Sequence, residues 1–178
     1  MRIDCGEVEI RSYRPDDLEA LVRHANNARV AANLRDRFPF PYTLRDGREW
    51  LAAAAQQNPE ANFAIATRVE LIGTIGLNLG EDVYRHSAEV GYWIAEPFWG
   101  QGITTRVLHT FTDWGFAEFG LLRIFAHVFS ENLASARVLE KAGYELEGTM
   151  RQAVVKNGRV MDQWIYSRVS PPEGTEWA

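Results

Sequence analysis

The chain has 178 residues and a formal net charge of −5, a balance that excludes an overall basic nucleic-acid surface though not a local basic patch. Its 46% hydrophobic and 24% charged content is that of an ordinary globular protein, and the length predicts one domain, residues 1–178, able to bury well over half of its unfolded surface. Cys5 is the one cysteine, so no disulfide framework or cysteine metal site is expected. The start MRIDCGEVEI has no apolar leader and no run reaches membrane-spanning length, which predicts a cytoplasmic protein.

Taken in order, the elements predict an alternating α/β chain without linker, repeat or low-complexity segment. Glu7 to Ser12 alternates as a strand. Pro15 suits the first turn of a helix to about Ala28, with Leu18, Leu21, Val22 and Ala25 as its apolar stripe. Arg29 to Tyr42 reads as irregular. Thr43 is placed to cap a second helix to about Gln57, with Asp46 in its first turn. Asn62–Arg68 and Leu71–Leu79 then read as an antiparallel hairpin around Val69-Glu70, and Gly80 to Ser87 as a polar loop.

The most informative stretch follows, EVGYWIAEPFWGQGITTR from Glu89 to Arg106. Glu89–Ile94 carries the β-branched and aromatic residues that suit a strand, and Pro97, Gly100 and Gly102 break it. From Ile103 a helical period sets in through Val107, Leu108, Phe111, Trp114 and Phe119. A glycine loop opening a helix suits phosphate. The first amides of a helix lack internal partners, and glycine lets a ligand come close to them. The same glycines also serve simply to turn a strand into a helix. Arg123–Phe129 reads as another strand, so this strand–helix–strand unit predicts a parallel pair. Asn132 caps a helix to Ala142, stopped by Gly143. Tyr144–Met150 and Arg159–Ser167 are expected to form a last hairpin with a long turn containing Asn157-Gly158, and Pro171–Ala178 to fray.

The succession EVGYWI, FWGQGITT and NLASARVLEKAGYELEG resembles the GNAT superfamily of acyl-CoA-dependent N-acetyltransferases, and within it the RimJ/RimL group. The likeness runs from IRSYRPDDLEAL to GTMRQAVVKNGRVMDQWIYS. It implies a single-domain α/β (α+β) fold whose mixed, mostly antiparallel sheet contains a splayed parallel strand pair flanked by helices. It also implies acetyl-CoA as cosubstrate without a metal, and an amine acceptor that is a ribosomal or other protein N-terminus or a small amine. A homodimer, as in many relatives, fits this expectation, with no nucleic-acid or membrane partner.

By the resemblance, the backbone of Trp93, Ile94 and Ala95 pairs with the pantetheine arm, and Gln101, Gly102, Ile103, Thr104, Thr105 and Arg106 hold the pyrophosphate. The family's loop pattern, Gln/Arg-x-x-Gly-x-Gly/Ala, puts its central glycine on Gly102. The sequence departs from it at Trp99 and Thr104. Asn132 and Ser135 match positions near the thioester, and Arg137, one turn from Lys141, is placed to meet a cofactor phosphate.

For deprotonating the amine there are two rival bases, Glu89 on the central strand and His127 on the next, the latter a residue type suited to proton transfer near neutrality. The family's tyrosine acid falls on Leu139, so the usual proton donor for the thiolate is missing. The acceptor pocket is expected among Arg29–Tyr42, Gly80–Ser87 and the last hairpin, with Arg35, Phe38, Tyr84 and His86 as its leading residues and Arg37, Phe40 and Arg85 beside them. Two other readings stand: a catalytically weak acyl-CoA-binding sensor, or a generic phosphate-binding domain. Acyl transfer requires strands 89–94 and 123–129 to diverge beside an open cleft.

Overall fold

The structure is a computed structural model that describes residues 1–170, so the expectation for Pro171–Ala178 lies outside the described residues. The chain opens with an antiparallel pair, β1 (Arg2–Asp4) and β2 (Glu9–Arg11). The first strand is thus shorter than the predicted Glu7–Ser12, and Arg2–Asp4 is an addition. Three-residue strands are too short for an alternating pattern to register. Their turn rests on Gly6, at φ +85°, whose N–H donates to the Asp4 carboxylate at 2.7 Å.

The predicted helix from Pro15 to Ala28 is broken into pieces. A 3₁₀ turn (Pro15–Asp17) leads into α1 (Leu18–Ala25), and a separate short helix, α2, spans Ala28–Ala31. The break falls at Asn26-Asn27. The Asn27 side chain accepts from the Arg29 amide at 2.8 Å and starts the new helix, a local bond that competes with continuing the old one. α3 (Leu44–Gln56) begins as expected, with Thr43 and Asp46 bonding reciprocally in a capping box. The Thr43 hydroxyl and N–H together hold the Asp46 carboxyl below its ordinary range.

The remaining strands are β3 (Asn62–Ala66), β4 (Leu71–Leu79), β5 (Ser87–Ile94), β6 (Arg123–Phe129), β7 (Glu145–Lys156) and β8 (Arg159–Val169). Two further helices, α4 (Ile103–Phe119) and α5 (Leu133–Lys141), flank β6 in sequence. The eight strands of the described residues lie in one sheet of order β1-β2-β3-β4-β5-β6-β8-β7, antiparallel except for the parallel pair β5–β6. The last hairpin differs from expectation, because its turn is only Asn157-Gly158, both at positive φ (51° and 75°), the requirement of a two-residue turn. Residues 151–156, expected in a long turn, belong to β7. The register shifts between Met150 and Val154, where Gln152 stands at φ 52°, so a bulge absorbs the extra residues. At the tip, Lys156 Nζ reaches Asp36 at 2.7 Å and ties the hairpin to the α2–α3 connection.

The sheet is covered on both faces. On one, α4 and α5 bury Val107, Leu108, Phe111 and Leu139 against Ile75, Leu77, Val90, Ile124 and Ala126. On the other, α1 and Tyr42 pack over Ala64 and Leu71, with Trp93 and Phe38 beside them. Phe111 is fully buried, its ring centroid 5.8 Å from that of Phe63 and 5.2 Å from that of Trp114. Phe111→Ala is therefore expected to cost about 3–5 kcal/mol of stability through lost burial and an unfilled cavity. A shift in urea midpoint with unchanged slope is the check.

Candidate functional site

The parallel ladder is short. Ser87, Ala88 and Glu89 pair with Arg123, Ile124 and Phe125, and beyond Glu89 the strands part. β5 continues to Ile94 with β4, and β6 continues to Phe129 with β8. Residues 90–94 and 126–129 line the opening, part of a cleft of about 860 Å³ that also reaches Thr104, Ser135 and Phe38. The divergence required of the parallel pair is present. Alternate residues of an antiparallel strand turn their backbone groups to the same neighbour. The Ala95 N–H donates to the Ile72 carbonyl at 2.8 Å, so Trp93 and Ala95 face β4 while Val90, Tyr92 and Ile94 face the gap. This corrects the expectation that Trp93, Ile94 and Ala95 all present backbone there. Of the three only Ile94 does, and its carbonyl already accepts from Trp99 Nε1 at 2.7 Å.

At the point of parting stand the two rival bases, and they are joined. His127 Nδ1 lies 2.9 Å from Glu89 Oε1, and the same oxygen accepts from Arg35 Nη2. Both side chains are mostly buried, Glu89 at 18% and His127 at 22% exposure. A carboxylate that accepts from Nδ1–H fixes the tautomer and leaves Nε2 as the basic nitrogen. Register places Glu89, Gly91, Trp93 and His127 on the face covered by α1 and α3, opposite α4 and α5.

The other mouth of the cleft opens toward α4 and α5. There the Tyr92 hydroxyl and Ser135 Oγ are 2.9 Å apart, and burial holds the phenol above its ordinary range despite that bond. Asn132 caps α5 by accepting from the Ser135 amide at 3.1 Å. Leu139 is fully buried in the core, so no polar group at that position faces the cleft.

α4 begins without a side-chain cap. Gly100 and Gly102 stand at φ 73° and 74°, a conformation that strains any side-chain-bearing residue. A Cβ on Gly100 would meet nothing within 4 Å, and one on Gly102 only Arg106 Nη1 at 3.8 Å. Open space thus lies in front of the loop. Arg106 N–H is the first to bond back, to the Gly102 carbonyl at 3.2 Å, which leaves the Ile103, Thr104 and Thr105 amides without an intrahelical partner. The Ile103 side chain itself is core. Gln101 donates to the Pro97 carbonyl at 2.9 Å, and Arg106 lies 3.7 Å from Glu7. Arg137 and Lys141 are exposed on α5 outside the cleft lining. Trp99 has a structural task at the position where the family's loop pattern carries Gln or Arg. It pins the loop to the end of β5 and lies under the Arg29 guanidinium, 5.2 Å from its ring centroid.

On the α1/α3 side the lining includes Arg35, Arg37 and Phe38 as expected. Tyr84, Arg85, His86 and Phe40 are not among the lining residues. Tyr84 is 71% exposed, and His86 Nδ1 lies 2.9 Å from the Gly120 carbonyl at the far end of α4. Trp50, Tyr42 and Tyr92 line the cleft and were not singled out from the sequence. Tyr92 was legible as a polar aromatic in the central strand, whereas Trp50 and Tyr42 depend on how α3 packs. Burial chiefly, with Asp46 beside it, pushes the Tyr42 hydroxyl up to about 12. Among the described residues, no three His, Cys, Asp or Glu side chains group as metal ligands, and no helix is long and apolar enough to cross a membrane.

A family model described as an acetyltransferase (GNAT) domain matches residues 7–145. The uncharacterized N-acetyltransferase YoaA of Bacillus subtilis is 42% identical over 124 residues, 68% of this chain and 70% of that one. The ribosomal-protein-serine acetyltransferase of Escherichia coli is 35% identical over 108 residues, 60% and 59% of the two chains. Among solved structures, the RimL ribosomal L7/L12 α-N-protein acetyltransferase in complex with coenzyme A superposes with a TM-score of 0.85 at 24% identity, covering 95% of this chain and 98% of that one. With its parallel pair splayed beside an open cleft and a family match across most of its length, the chain belongs to the GNAT acetyltransferases and is an N-acetyltransferase of that type.

Proposed function

We propose that this protein, acting as one domain, transfers the acetyl group of acetyl-CoA to a primary amine by direct attack on the thioester. The supporting observation is the division of labour across the sheet. A basic cluster stands at one mouth of the opening, while hydroxyls and an uncapped helix N-terminus stand at the other.

The residues then take the following roles. The amides of Gly102–Thr105 receive the pyrophosphate, with the dipole of a 17-residue helix behind them. The pantetheine arm enters between Val90–Ile94 and Ala126–Phe129, where the ladder has ended. The Ile94 N–H, turned to the gap, polarises the thioester carbonyl. His127 Nε2 takes the proton from the amine while Glu89 holds the ring and stabilises the imidazolium. The nitrogen forms its bond to the carbonyl carbon and gives up its second proton to solvent. The C–S bond breaks, and the thiolate leaves hydrogen-bonded to the Ser135–Tyr92 hydroxyl pair and takes a proton from water, there being no tyrosine at Leu139 to supply it.

The acceptor class follows from the same cleft and from the likeness to acetyltransferases of ribosomal proteins, and covers a protein α-amino group or a small-molecule amine. A thioester-turnover assay with acetyl-CoA and a panel of N-terminal peptides, amino acids and polyamines tests the reading. Stoichiometric release of free thiol and N-acetylated product is the expected result. Tight binding of acetyl-CoA with no turnover on the whole panel would instead identify a sensor.

A further inference from the structure

The charges around the acceptor mouth are unequal in how they are satisfied. Every carboxylate that lines it has a protein partner. Glu89 holds Arg35 and His127, Asp46 serves the α3 cap, and Glu49 lies 3.8 Å from Arg45. Arg37 also lines the cleft and has no hydrogen-bonding or ion-pair partner among the described residues. Nearby Asp36 is engaged by Lys156 from the β7–β8 tip.

Resting on the acyl-transfer reading, we propose that the acceptor is a free α-amino acid with an apolar or aromatic side chain, recognised through its carboxylate. The Glu89–Arg35 pair is two opposite charges in contact. An α-amino acid carries an ammonium and a carboxylate on one carbon, at a comparable separation. It docks antiparallel to the pair, with the ammonium at Glu89 and His127 and the carboxylate at Arg35, where the guanidinium fork suits it. Arg37 supplies a second cation for the same carboxylate. The rings of Phe38, Trp50 and Trp93 leave an apolar wall for the side chain. After the ammonium gives its proton to His127, the neutral amine attacks. The acetylated product keeps its carboxylate and loses the charge that Glu89 held, which favours its release.

The test compares kcat/KM for free amino acids, their amides and the matching N-terminal tripeptides. The best free amino acid is expected to exceed its own amide by at least about tenfold, the size of one charge-assisted contact. Arg37→Gln should reduce that preference severalfold through KM, leaving the part due to Arg35, with the melting temperature held because the side chain is exposed and has no partner among the described residues. Amides or tripeptides that match or surpass the free amino acids would overturn the inference and leave a protein N-terminus as the acceptor. Acetyl-CoA binding without acetylation of any of the three sets would overturn the acyl-transfer reading, and this inference with it.

Discussion

Glu89→Gln and His127→Ala are each expected to slow the acetyl-transfer step by about 100- to 10,000-fold, the range of a positioned general base. The double variant should be no slower than the slower single one. Two independent bases would give multiplied losses, but these two share one hydrogen bond of 2.9 Å, and groups that act as a unit lose their effect together. With histidine absent, Glu89 retains Arg35 as partner and has no imidazole to orient. With the carboxylate replaced by an amide, the ring keeps its place but loses the charge that stabilises its protonated form. Single-turnover rates across pH, with acetyl-CoA pre-bound, are the measurement. Additive losses would separate the two residues. If neither variant is slowed, the substrate's own ionisation or a water chain removes the proton.

Gly102→Val is expected to weaken coenzyme A binding by about 100-fold, the loss of roughly two charge-assisted hydrogen bonds at ~1.5 kcal/mol each. Two causes act at this position. The branched side chain stands where the pyrophosphate approaches the first amides of α4, and a β-branched residue at φ 74° carries about 1–3 kcal/mol of strain. Gly120→Val separates them. Gly120 ends the same helix at φ 59°, far from the loop along the helix, and a Cβ there would meet nothing within 4 Å. It should lose comparable stability and bind coenzyme A normally. Calorimetric titration paired with thermal melts reads both. Equal affinity losses in the two variants would mean that strain, not blocked approach, explains Gly102.

Much of this was legible in the sequence where one residue type answers one physical demand. Thr43 and Asp46 cap α3, Gly102 opens α4, and Asn132 caps α5, because each relies on chemistry within four residues. The parallel pair and its divergence were also readable, through the resemblance carried by 89–106 and 132–148. Less legible was whatever depends on contacts distant in sequence. Nothing local says that Glu89 and His127, 38 positions apart, share a hydrogen bond, or that Arg35 closes the same cluster. The sequence made Tyr84 and His86 resemble pocket residues because they stand in a polar loop beside the central strand. That loop lies at the end where β5 and β6 are still paired, away from the opening. The last hairpin misled for a different reason, since a bulge at Gln152 interrupts the alternation that marks a strand.

On the proposed function, the cosubstrate threads the sheet where β5 leaves β6. A crystal structure with coenzyme A bound tests it most directly. The expected result is the pantetheine arm between Val90–Ile94 and Ala126–Phe129, the pyrophosphate on the amides of Gly102–Thr105, and the sulfur near the Ser135 and Tyr92 hydroxyls. Coenzyme A seated elsewhere, with the two strands closed against each other beyond Glu89 and Phe125, would contradict it.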